Sequence, residues 1–432
     1  MIDGTVTIAA TEDGPMNNVA GFTCVICGRT YPPDFGGYVC DDHGSEGILD
    51  VVYDYDAVAK DMTKESLAAD PDTTMWRYRA LMPLSPDTEV PPLTVGGTPM
   101  YDVPTLAEDL GIARVWVKDE GREPTASLKD RASAMAVVNA QERGAEIITT
   151  ASTGNAAAAL AGLAASVGFE NVIFVPASAP QAKIAQLLAY GSRVVLVNGS
   201  YGDAFDLCMA AADEYGWYNR NTGYNPFMTE GKKTAGLEIF EALGWDVPDA
   251  IFVSVGDGSI IGGVHKAVKD LLALGWIDHA PRIYGIQAEG SDYLVQAFES
   301  GEEVITKPPI SADTVADSIS ADLPRDRVKA MAAVVDTEGA YLRVSDDAIL
   351  AAIPVLARGS GVFAEPAGAA AYAGLVEAVK LGLVGPDESA VVLATGSGLK
   401  DVASAMTAVT SAGTEPMRVD PNLEALKTEL AR

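Results

Sequence analysis

Short apolar runs rich in β-branched residues recur along this chain and alternate with stretches of helical character. Seven such runs are Ile112 to Lys118, Glu146 to Thr150, Asn171 to Val175, Arg193 to Val197, Ala250 to Val255, Arg282 to Gln287 and Ala390 to Ala394. This alternation is typical of parallel sheets joined by crossover helices. The sequence therefore predicts an α/β fold, and a length of 432 residues allows two or three structural units.

Acidic residues outnumber basic ones by 60 to 30, which gives a formal net charge of -30. Such a charge repels nucleic acid and anionic membrane surfaces unless a local basic patch opposes it, and the sequence contains no such patch. The longest apolar runs, such as Ala156 to Ala165, are well short of the ~20 residues that span a bilayer. The N-terminus lacks a basic segment followed by an apolar one. We expect a cytoplasmic protein with a small-molecule partner, no nucleic acid and no membrane.

Three of the four cysteines lie close together, which is not how a disulfide framework would be distributed in a chain this long. Cys24 and Cys27 form one pair, and Cys40 and His43 form a second. Two such pairs offer four ligands to one tetrahedral ion, and a module this short needs a metal to fold. We predict structural zinc in a ribbon-like module over residues 21–56, with thiols that bind no metal as the alternative. Four protein ligands leave no open position for zinc catalysis.

The rest of the chain divides around this module. Polar, mixed residues predict a loose tail over residues 1–20. The main region is expected over residues 57–432. Its first part, Asp54 to about Ser85, looks helical, with Trp76 and Tyr78 in the core.

A single lysine carries the chemistry that the sequence predicts. Residues Glu123 to Arg131 read Glu-Pro-Thr-Ala-Ser-Leu-Lys-Asp-Arg and place Lys129 at a helix start, where the end of a loop can aim it inward. A lone lysine is usually a surface charge. Three other segments, however, match the groups that a pyridoxal phosphate (PLP) cofactor needs: Ser152 to Asn155, Gly256 to Gly263 and Thr395 to Asp401. We predict that Lys129 condenses with the aldehyde of PLP and later moves protons at the substrate's α and β carbons.

The first of these segments is a turn between an apolar strand and an alanine-rich helix. It consists of Ser152, Thr153, Gly154 and Asn155. Its backbone amides face a helix N-terminus, which suits an anion such as a substrate carboxylate. Asn155 is expected to hydrogen-bond the phenolic oxygen of the cofactor, and a plain helix cap is the alternative.

The second segment follows the run Ala250 to Val255. It contributes Gly256, Asp257, Gly258, Ser259 and Gly262. Glycine-rich backbone can surround a phosphate group closely, so the segment predicts a site for the PLP phosphate, against a simple tight turn. A carboxylate facing a phosphate is unfavourable, and we expect the side chain of Asp257 to turn away or to meet a cation.

The third segment supplies two hydroxyls after the run Ala390 to Ala394. Either Thr395 or Ser397 is expected to meet the pyridine nitrogen of the cofactor. A hydroxyl partner leaves that nitrogen neutral, which favours elimination and replacement over transamination. Two small residues in a turn are the alternative.

With these motifs the chain resembles threonine synthase and its relatives, the fold-type II PLP enzymes, over roughly residues 83–411. The matching pieces are the Pro-Thr-x-Ser-x-Lys-Asp-Arg segment ending at Arg131, Ala151 to Asn155, Asn225 to Phe227 with Glu230 to Thr234, Glu365 to Ala367, and Thr395 to Asp401. The resemblance implies two parallel-sheet domains of the tryptophan synthase β type, often dimeric, with PLP between them. Residues from approximately 140 to 240 would form the smaller subdomain.

The resemblance also implies roles for single residues. Lys129 would bind the cofactor's aldehyde, Asn155 its phenolic oxygen and residues 256–263 its phosphate. A Cys-x-x-Cys module also occurs in some threonine synthase-like proteins. We therefore expect a PLP-dependent lyase that carries structural zinc and acts on a small L-amino acid as a homodimer.

Three positions depart from the family pattern. Threonine synthases usually carry a threonine after the Gly-Asn pair and an arginine after Asn-Pro-x, and both contact the phosphate of the substrate phosphohomoserine. Here those positions are Ala156 and Met228, and Asp257 stands where asparagine is common. The expected phosphate clamp is thus missing from the sequence.

The substrate therefore stays open among several reactions. O-Phosphohomoserine would give threonine by elimination and addition of water. The alternatives are ammonia release from a β-substituted amino acid, or the PLP subunit of a 2-amino-4-oxopentanoate thiolase-like enzyme, which would need a partner chain. An inactive regulatory homologue is the non-enzyme alternative, although the intact Lys129 argues against it. Cations that could meet a substrate anion are Arg131, Lys183, Arg325 and Lys400, each of which could equally be part of a surface ion pair.

Overall fold

The computed structural model of the chain describes residues 16–179 and 181–431. Its strands are β1 (Val19–Cys24), β2 (Thr30–Tyr31), β3 (Val39–Cys40), β4 (Gly44–Tyr53), β5 (Met100–Asp102), β6 (Arg114–Asp119), β7 (Ile147–Ala151), β8 (Glu170–Pro176), β9 (Arg193–Val197), β10 (Tyr218–Asn219), β11 (Ala250–Ser254), β12 (Arg282–Ala288), β13 (Tyr341–Val344) and β14 (Ser389–Ala394).

Helices connect most of these strands. They are α1 (Tyr55–Asp61), α2 (Lys64–Ala69), α3 (Pro104–Leu110), α4 (Lys129–Glu142), α5 (Asn155–Ser166), α6 (Gln181–Ala189), α7 (Tyr201–Tyr215), α8 (Phe227–Ala242), α9 (Ser259–Ala273), α10 (Tyr293–Ser300), α11 (Arg327–Val335), α12 (Asp346–Ser360), α13 (Pro366–Lys380), α14 (Val402–Ser411) and α15 (Leu423–Leu430). Short 3-10 helices lie at Met75–Leu81, Glu120–Arg122, Glu289–Ser291, Asp317–Ile319 and Gly398–Lys400.

The strands form three sheets. A small antiparallel sheet has the order β2-β1-β4-β3, and a fully parallel sheet has the order β10-β7-β8-β9. The largest sheet has the order β13-β12-β11-β14-β6-β5 and is parallel except for its edge strand β5. All seven apolar runs of the sequence are strands of the two larger sheets, as the α/β prediction requires. Helices cover the parallel strands because their Val- and Ile-rich faces are buried on both sides.

One boundary differs from the sequence prediction. Strand β1 begins at Val19, where it pairs with Tyr53, so the last residues of the predicted tail belong to the first sheet; residues 1–15 lie outside the described part of the chain. The segment from Asp54 to Ser85 is largely helical, as predicted, and consists of α1, α2 and a 3-10 helix, with Trp76 and Tyr78 buried. The side chain of Thr63 caps the start of α2, and Pro71 follows the end of the same helix, so α2 is short.

The N-terminal sheet packs against helices that come much later in the chain. The hydroxyl of Tyr53 donates to Glu230 of α8 at 2.6 Å. Asp50 pairs with Lys269 of α9 at 2.9 Å and with Lys329 of α11 at 3.3 Å. The first sheet is therefore joined to α8, α9 and α11 through buried polar contacts as well as apolar ones. Among the described residues, no helix is long and apolar enough to cross a membrane.

Candidate active site

A cavity of about 660 Å³ opens where parallel strands of both larger sheets end. Its walls come from the residues that follow β7, β10 and β11, from the start of α7, and from the loop of residues 309–325. Ligands of open α/β sheets bind outside the carboxyl ends of the strands, so this is the expected place for a site. Lys129 lies in the wall of this cavity.

Lys129 is the first residue of α4 and is held there by a strained loop. Ala126 has a φ of +67°, which is unfavourable for a residue with a Cβ. The loop is fixed because Thr125 donates from its amide and its hydroxyl to Asp130, both at 2.6 Å. Burial lowers the pKa of the Lys129 amine, to which no described residue forms a hydrogen bond or ion pair. The amine is thus buried and available, and its lowered pKa favours the neutral form that a nucleophile requires.

The turn of residues 152–155 lines the same cavity. Its four members Ser152, Thr153, Gly154 and Asn155 all contribute to the wall, and the amide of Gly154 donates to the Ser152 hydroxyl at 3.2 Å. Asn155 begins α5, and its side-chain amide donates to Glu365 at 2.6 Å. Burial raises the pKa of Glu365. The pair places an amide donor and a buried carboxyl group next to Lys129.

The glycine-rich loop forms the opposite part of the wall. Gly256, Asp257, Gly258 and Ser259 line the cavity, and α9 begins at Ser259. Gly258 has a φ of +95°, and a Cβ there would lie 2.7 Å from the side chain of Ala330. Only glycine fits this position, which leaves the amides at the N-terminus of α9 open to the cavity.

Asp257 and Gly262 differ in how they relate to the expected phosphate site. The carboxylate of Asp257 accepts from the amide of Arg325 at 3.3 Å and lies near the cations Lys232 and Arg325. Gly262 does not line the cavity. The chain enters α9 at Ser259, so Gly262 lies almost one turn inside the helix, where its Cα faces Lys329.

Thr395 and Ser397 also lie outside the walls of this cavity. The carbonyl of Thr395 accepts from the amide of Leu128 at 3.0 Å, and the amide of Ser397 donates to Ala126 at 3.0 Å. A Cβ on Gly396 would lie 2.4 Å from Glu365 and 3.4 Å from Asn155. Residues 395–397 therefore pack against the loop that precedes Lys129 and against the Asn155–Glu365 pair. A contact of either hydroxyl with the cofactor stays a prediction.

Two buried cations of the cavity wall were missed by the sequence argument. They are Arg220, which follows β10, and Lys232 in α8. Of the four cations that were considered, Arg325 lines the large cavity, whereas Lys183 and Lys400 line an adjoining cavity of about 160 Å³. Arg131 lies elsewhere, in a buried ion-pair network with Glu120 and Glu238.

The residues present fit PLP. Two polar atoms of the cavity residues, the Nη2 of Arg220 and the hydroxyl of Ser254, are buried without a hydrogen-bond partner. Open helix-terminal amides suit the phosphate of PLP, and the buried amine of Lys129 suits its aldehyde. Such unsatisfied donors cost free energy in a folded protein unless a ligand meets them.

The cysteine and histidine pairs converge as the sequence predicted. The four ligand atoms of Cys24, Cys27, Cys40 and His43 all lie within 4.8 Å of one another. The Sγ atoms of Cys27 and Cys40 are 3.9 Å apart, close to the ~3.8 Å that two sulfur ligands of one tetrahedral zinc ion subtend. A Cβ on Gly47 would lie 3.2 Å from the Sγ of Cys24, so glycine is needed for the ligands to gather.

Comparison with known proteins agrees with this geometry. The pattern of the family described as "Pyridoxal-phosphate dependent enzyme" matches residues 92–396. The chain is 36% identical to a threonine synthase of Methanocaldococcus jannaschii, over 94% of this chain and 98% of that protein. It is 38% identical to a threonine synthase of Methanosarcina acetivorans, over 94% of this chain and 97% of that protein.

A solved structure shows the same fold. The processed form of threonine deaminase isoform 2 from Solanum lycopersicum superposes with a TM-score of 0.63 at 23% identity, covering 73% of this chain and 88% of that one. The chain thus belongs to the pyridoxal-phosphate-dependent enzymes of fold type II and is a lyase that resembles threonine synthase.

Proposed function

We propose that this enzyme converts O-phospho-L-homoserine into L-threonine and phosphate. The observation that carries the proposal is its similarity to proteins named threonine synthase, which extends over 94% of the chain. The cavity adds support, because it places the buried amine of Lys129 beside a turn and a glycine-rich loop that both suit anions.

Each segment of the wall has a distinct proposed role. Lys129 binds the cofactor's aldehyde and takes the proton from the substrate's α carbon, which its lowered pKa favours. The amides of Ser152, Thr153 and Gly154 hold the substrate carboxylate, and Asn155 donates to the cofactor's phenolic oxygen. The amides of residues 256–259 hold the cofactor phosphate, and Thr395 or Ser397 contacts the pyridine nitrogen. When bound, PLP supplies an electron sink for the negative charge left at the α carbon.

We also propose zinc at Cys24, Cys27, Cys40 and His43, because the ligand distances fit a tetrahedral ion. With four protein ligands the metal would be structural. Residues from approximately 140 to 240 are proposed as the smaller subdomain, which contains the sheet β10-β7-β8-β9. A homodimer is proposed because Met406, Leu423 and Leu430 of the last two helices are exposed. The cytoplasmic location stays a prediction from the sequence.

The test is product formation by the purified, PLP-loaded protein. We expect threonine and inorganic phosphate in equal amounts from O-phospho-L-homoserine. Ammonia from serine or threonine without threonine formation would instead assign an ammonia-lyase. Turnover that requires a second chain would favour the thiolase-like alternative.

Two variants make this test specific. Lys129→Ala is expected to lose both the absorbance of the bound cofactor and at least about 1,000-fold in kcat, because the other lysine of the cavity wall, Lys232, holds its amine against Ser259 instead. Lys380→Ala removes an exposed lysine of α13 and serves as the matched control. Turnover that survives in Lys129→Ala would refute the assigned role.

A further inference from the structure

The two cations missed in the sequence share an unusual property: neither pairs with a carboxylate. Arg220 and Lys232 are 1% and 2% exposed. Arg220 donates from Nε to Ser133 at 3.2 Å and from Nη1 to Thr222 at 3.1 Å, while Nη2 has no partner. Lys232 donates to the hydroxyl of Ser259 at 2.7 Å. Buried full charges are normally paired, so both side chains lack the anion that would balance them.

Their surroundings hold both cations at fixed positions. The Nζ of Lys232 lies 3.4 Å from the hydroxyl of Thr222, so Thr222 bridges the two side chains. Asn221 holds this loop against β7, because its side-chain oxygen accepts from the amide of Ala151 at 2.9 Å. Lys232 can reach Ser259 along α9 because Gly263 lets the two helices approach; a Cβ there would lie 3.0 Å from that of Lys232.

The carboxylates of the described cavity wall form no ion pair with these cations, although Asp257 attracts both through space. Asp257 accepts from the amide of Arg325 at 3.3 Å, Asp317 pairs with Lys183 at 2.5 Å, and Asp322 accepts from the amide of Ala312 at 2.8 Å. Arg220 and Lys232 thus give this part of the cavity wall positive charge that no ion pair balances, against the net charge of -30 of the whole chain.

One phosphate does not account for this excess. The cofactor phosphate finds the open amides of the glycine-rich loop and the N-terminus of α9, which suffice for one dianion without any cation. Ala156 lines the cavity but offers no donor, and Met228 is buried in the core of α8. The positions at which the family's substrate clamp is expected therefore cannot hold a second phosphate here.

We propose that Arg220 and Lys232, bridged by Thr222, form a clamp for the phosphate ester of the substrate, beside the site of the cofactor phosphate. The proposal deepens the proposed function and rests on it for the identity of the phosphorylated amino acid. A planar guanidinium can bind two phosphate oxygens at once, and the ammonium adds a third contact. The clamp thus selects a substrate with a phosphate leaving group over one with a neutral side chain.

The test measures anion binding separately from turnover. Inorganic phosphate is titrated into the PLP-loaded protein by calorimetry, and the affinity of the apoprotein for PLP is measured by fluorescence. We expect Arg220→Gln and Lys232→Gln each to weaken phosphate binding at least about tenfold, since one charge-assisted contact is worth about 1.5–3 kcal/mol. The affinity for PLP should change less than about threefold. Arg193→Gln removes an exposed arginine of β9 and should leave both affinities unchanged.

Two outcomes overturn the clamp. Loss of PLP affinity with unchanged binding of inorganic phosphate would assign both cations to the cofactor phosphate. Equal phosphate binding by all variants would show that the ion binds elsewhere on the protein.

The clamp and the proposed function can fail separately. Threonine formation with an unchanged kcat/KM in Arg220→Gln would keep the function and refute the clamp. Phosphate binding that depends on Arg220, in an enzyme that makes no threonine, would keep the clamp and refute the function. The second variant, Lys232→Gln, decides the matter should Arg220→Gln not fold.

Discussion

Two groups of buried charges in this enzyme are built in opposite ways. Around Arg131, the guanidinium pairs with Glu120 at 2.7 Å and Glu238 at 2.6 Å, and Lys118 pairs with Glu238 at 2.6 Å. A third acid, Glu123, lies 3.1 Å from the same guanidinium, and burial raises its pKa well above the usual value, which favours its neutral form. Arg220 and Lys232, by contrast, form side-chain hydrogen bonds only with hydroxyls among the described residues.

The difference separates a structural network from a binding site. The charges of the Arg131 network balance within the chain, so nothing needs to be added for it to be stable. The cations of the proposed clamp are tolerated at a cost. Burial lowers the pKa of Arg220 to about 10, and it lowers that of Lys232 well below the usual value, with a further contribution from Arg220. Their balance must come from a ligand.

The cysteine cluster is a third case, in which four side chains are proposed to bind a metal cation, and it should give the largest effect. Removing the metal with a chelator is expected to lower the free energy of unfolding by on the order of 5 kcal/mol or more, since binding of structural zinc is coupled to folding. The checks are zinc content by mass spectrometry and urea unfolding. Cys40→Ala should lose the metal, whereas Cys208→Ala, a buried cysteine outside the cluster, should keep it. Equal zinc in both variants would contradict the assignment.

Breaking the balanced network should be the next most damaging change. Arg131→Met leaves Glu120 and Glu238 buried without their main cation, which we expect to cost about 3–5 kcal/mol in urea unfolding. Arg193→Met breaks an exposed pair with Glu170 and should cost less than about 1 kcal/mol. Similar losses in the two variants would mean that the network is not the structural element described above.

Removing a cation of the proposed clamp should raise the free energy of unfolding, whereas removing Arg131 should lower it. Lys232→Met removes a buried charge that has no counter-ion, so the apoprotein is expected to become more stable by about 1–2 kcal/mol. The same variant should bind inorganic phosphate more weakly. Urea unfolding of the two apoproteins at pH 7 measures the first effect. A destabilised variant would show that Lys232 is compensated within the chain.

The smallest expected effect is a pH dependence of that stability gain. Because the folded pKa of Lys232 lies below its ordinary value of 10.5, the unfolded chain binds more protons between those two values. Wild-type stability therefore rises with pH across this window, and the advantage of Lys232→Met should shrink as the pH approaches 10.5. The other titratable groups are the same in the wild type and in Lys232→Met, so their contributions cancel in the difference between the two free energies of unfolding. An advantage that stays constant up to that pH would exclude titration of Lys232 as its cause.

Local patterns in the sequence predict the scaffold well. The runs at Ala250 and Arg282 are strands because period, β-branched content and flanking turns agree, and the structure ends them within one residue of the prediction. Lys129 could be singled out because several segments pointed to one cofactor.

The clamp could not be found in this way. Arg220 stands alone in a polar stretch, and Lys232 lies in the matching segment Glu230 to Thr234, for which the resemblance implies no role for this lysine. Their burial arises from the pairing of β10 with β7 and from the packing of α8 on α9, both of which are long-range contacts. The sequence offered one signal, because the adjacent Lys232 and Lys233 cannot share a face of α8. In the structure, only Lys233 of the two pairs with carboxylates, those of Glu230 and Asp270.

Helix α11 lies between the first sheet and the glycine-rich loop and contacts both. Lys329 contacts Gly262 on one side and donates to the carbonyl of Leu49 at 3.0 Å on the other, and the amide of Asp326 donates to Asp257 at 2.8 Å. During synthesis the first sheet emerges about 180 to 280 residues before the helices that cover it. The proposed zinc ligands all lie within residues 24–43, so we expect the metal site to form before the pocket for PLP, which needs the later helices.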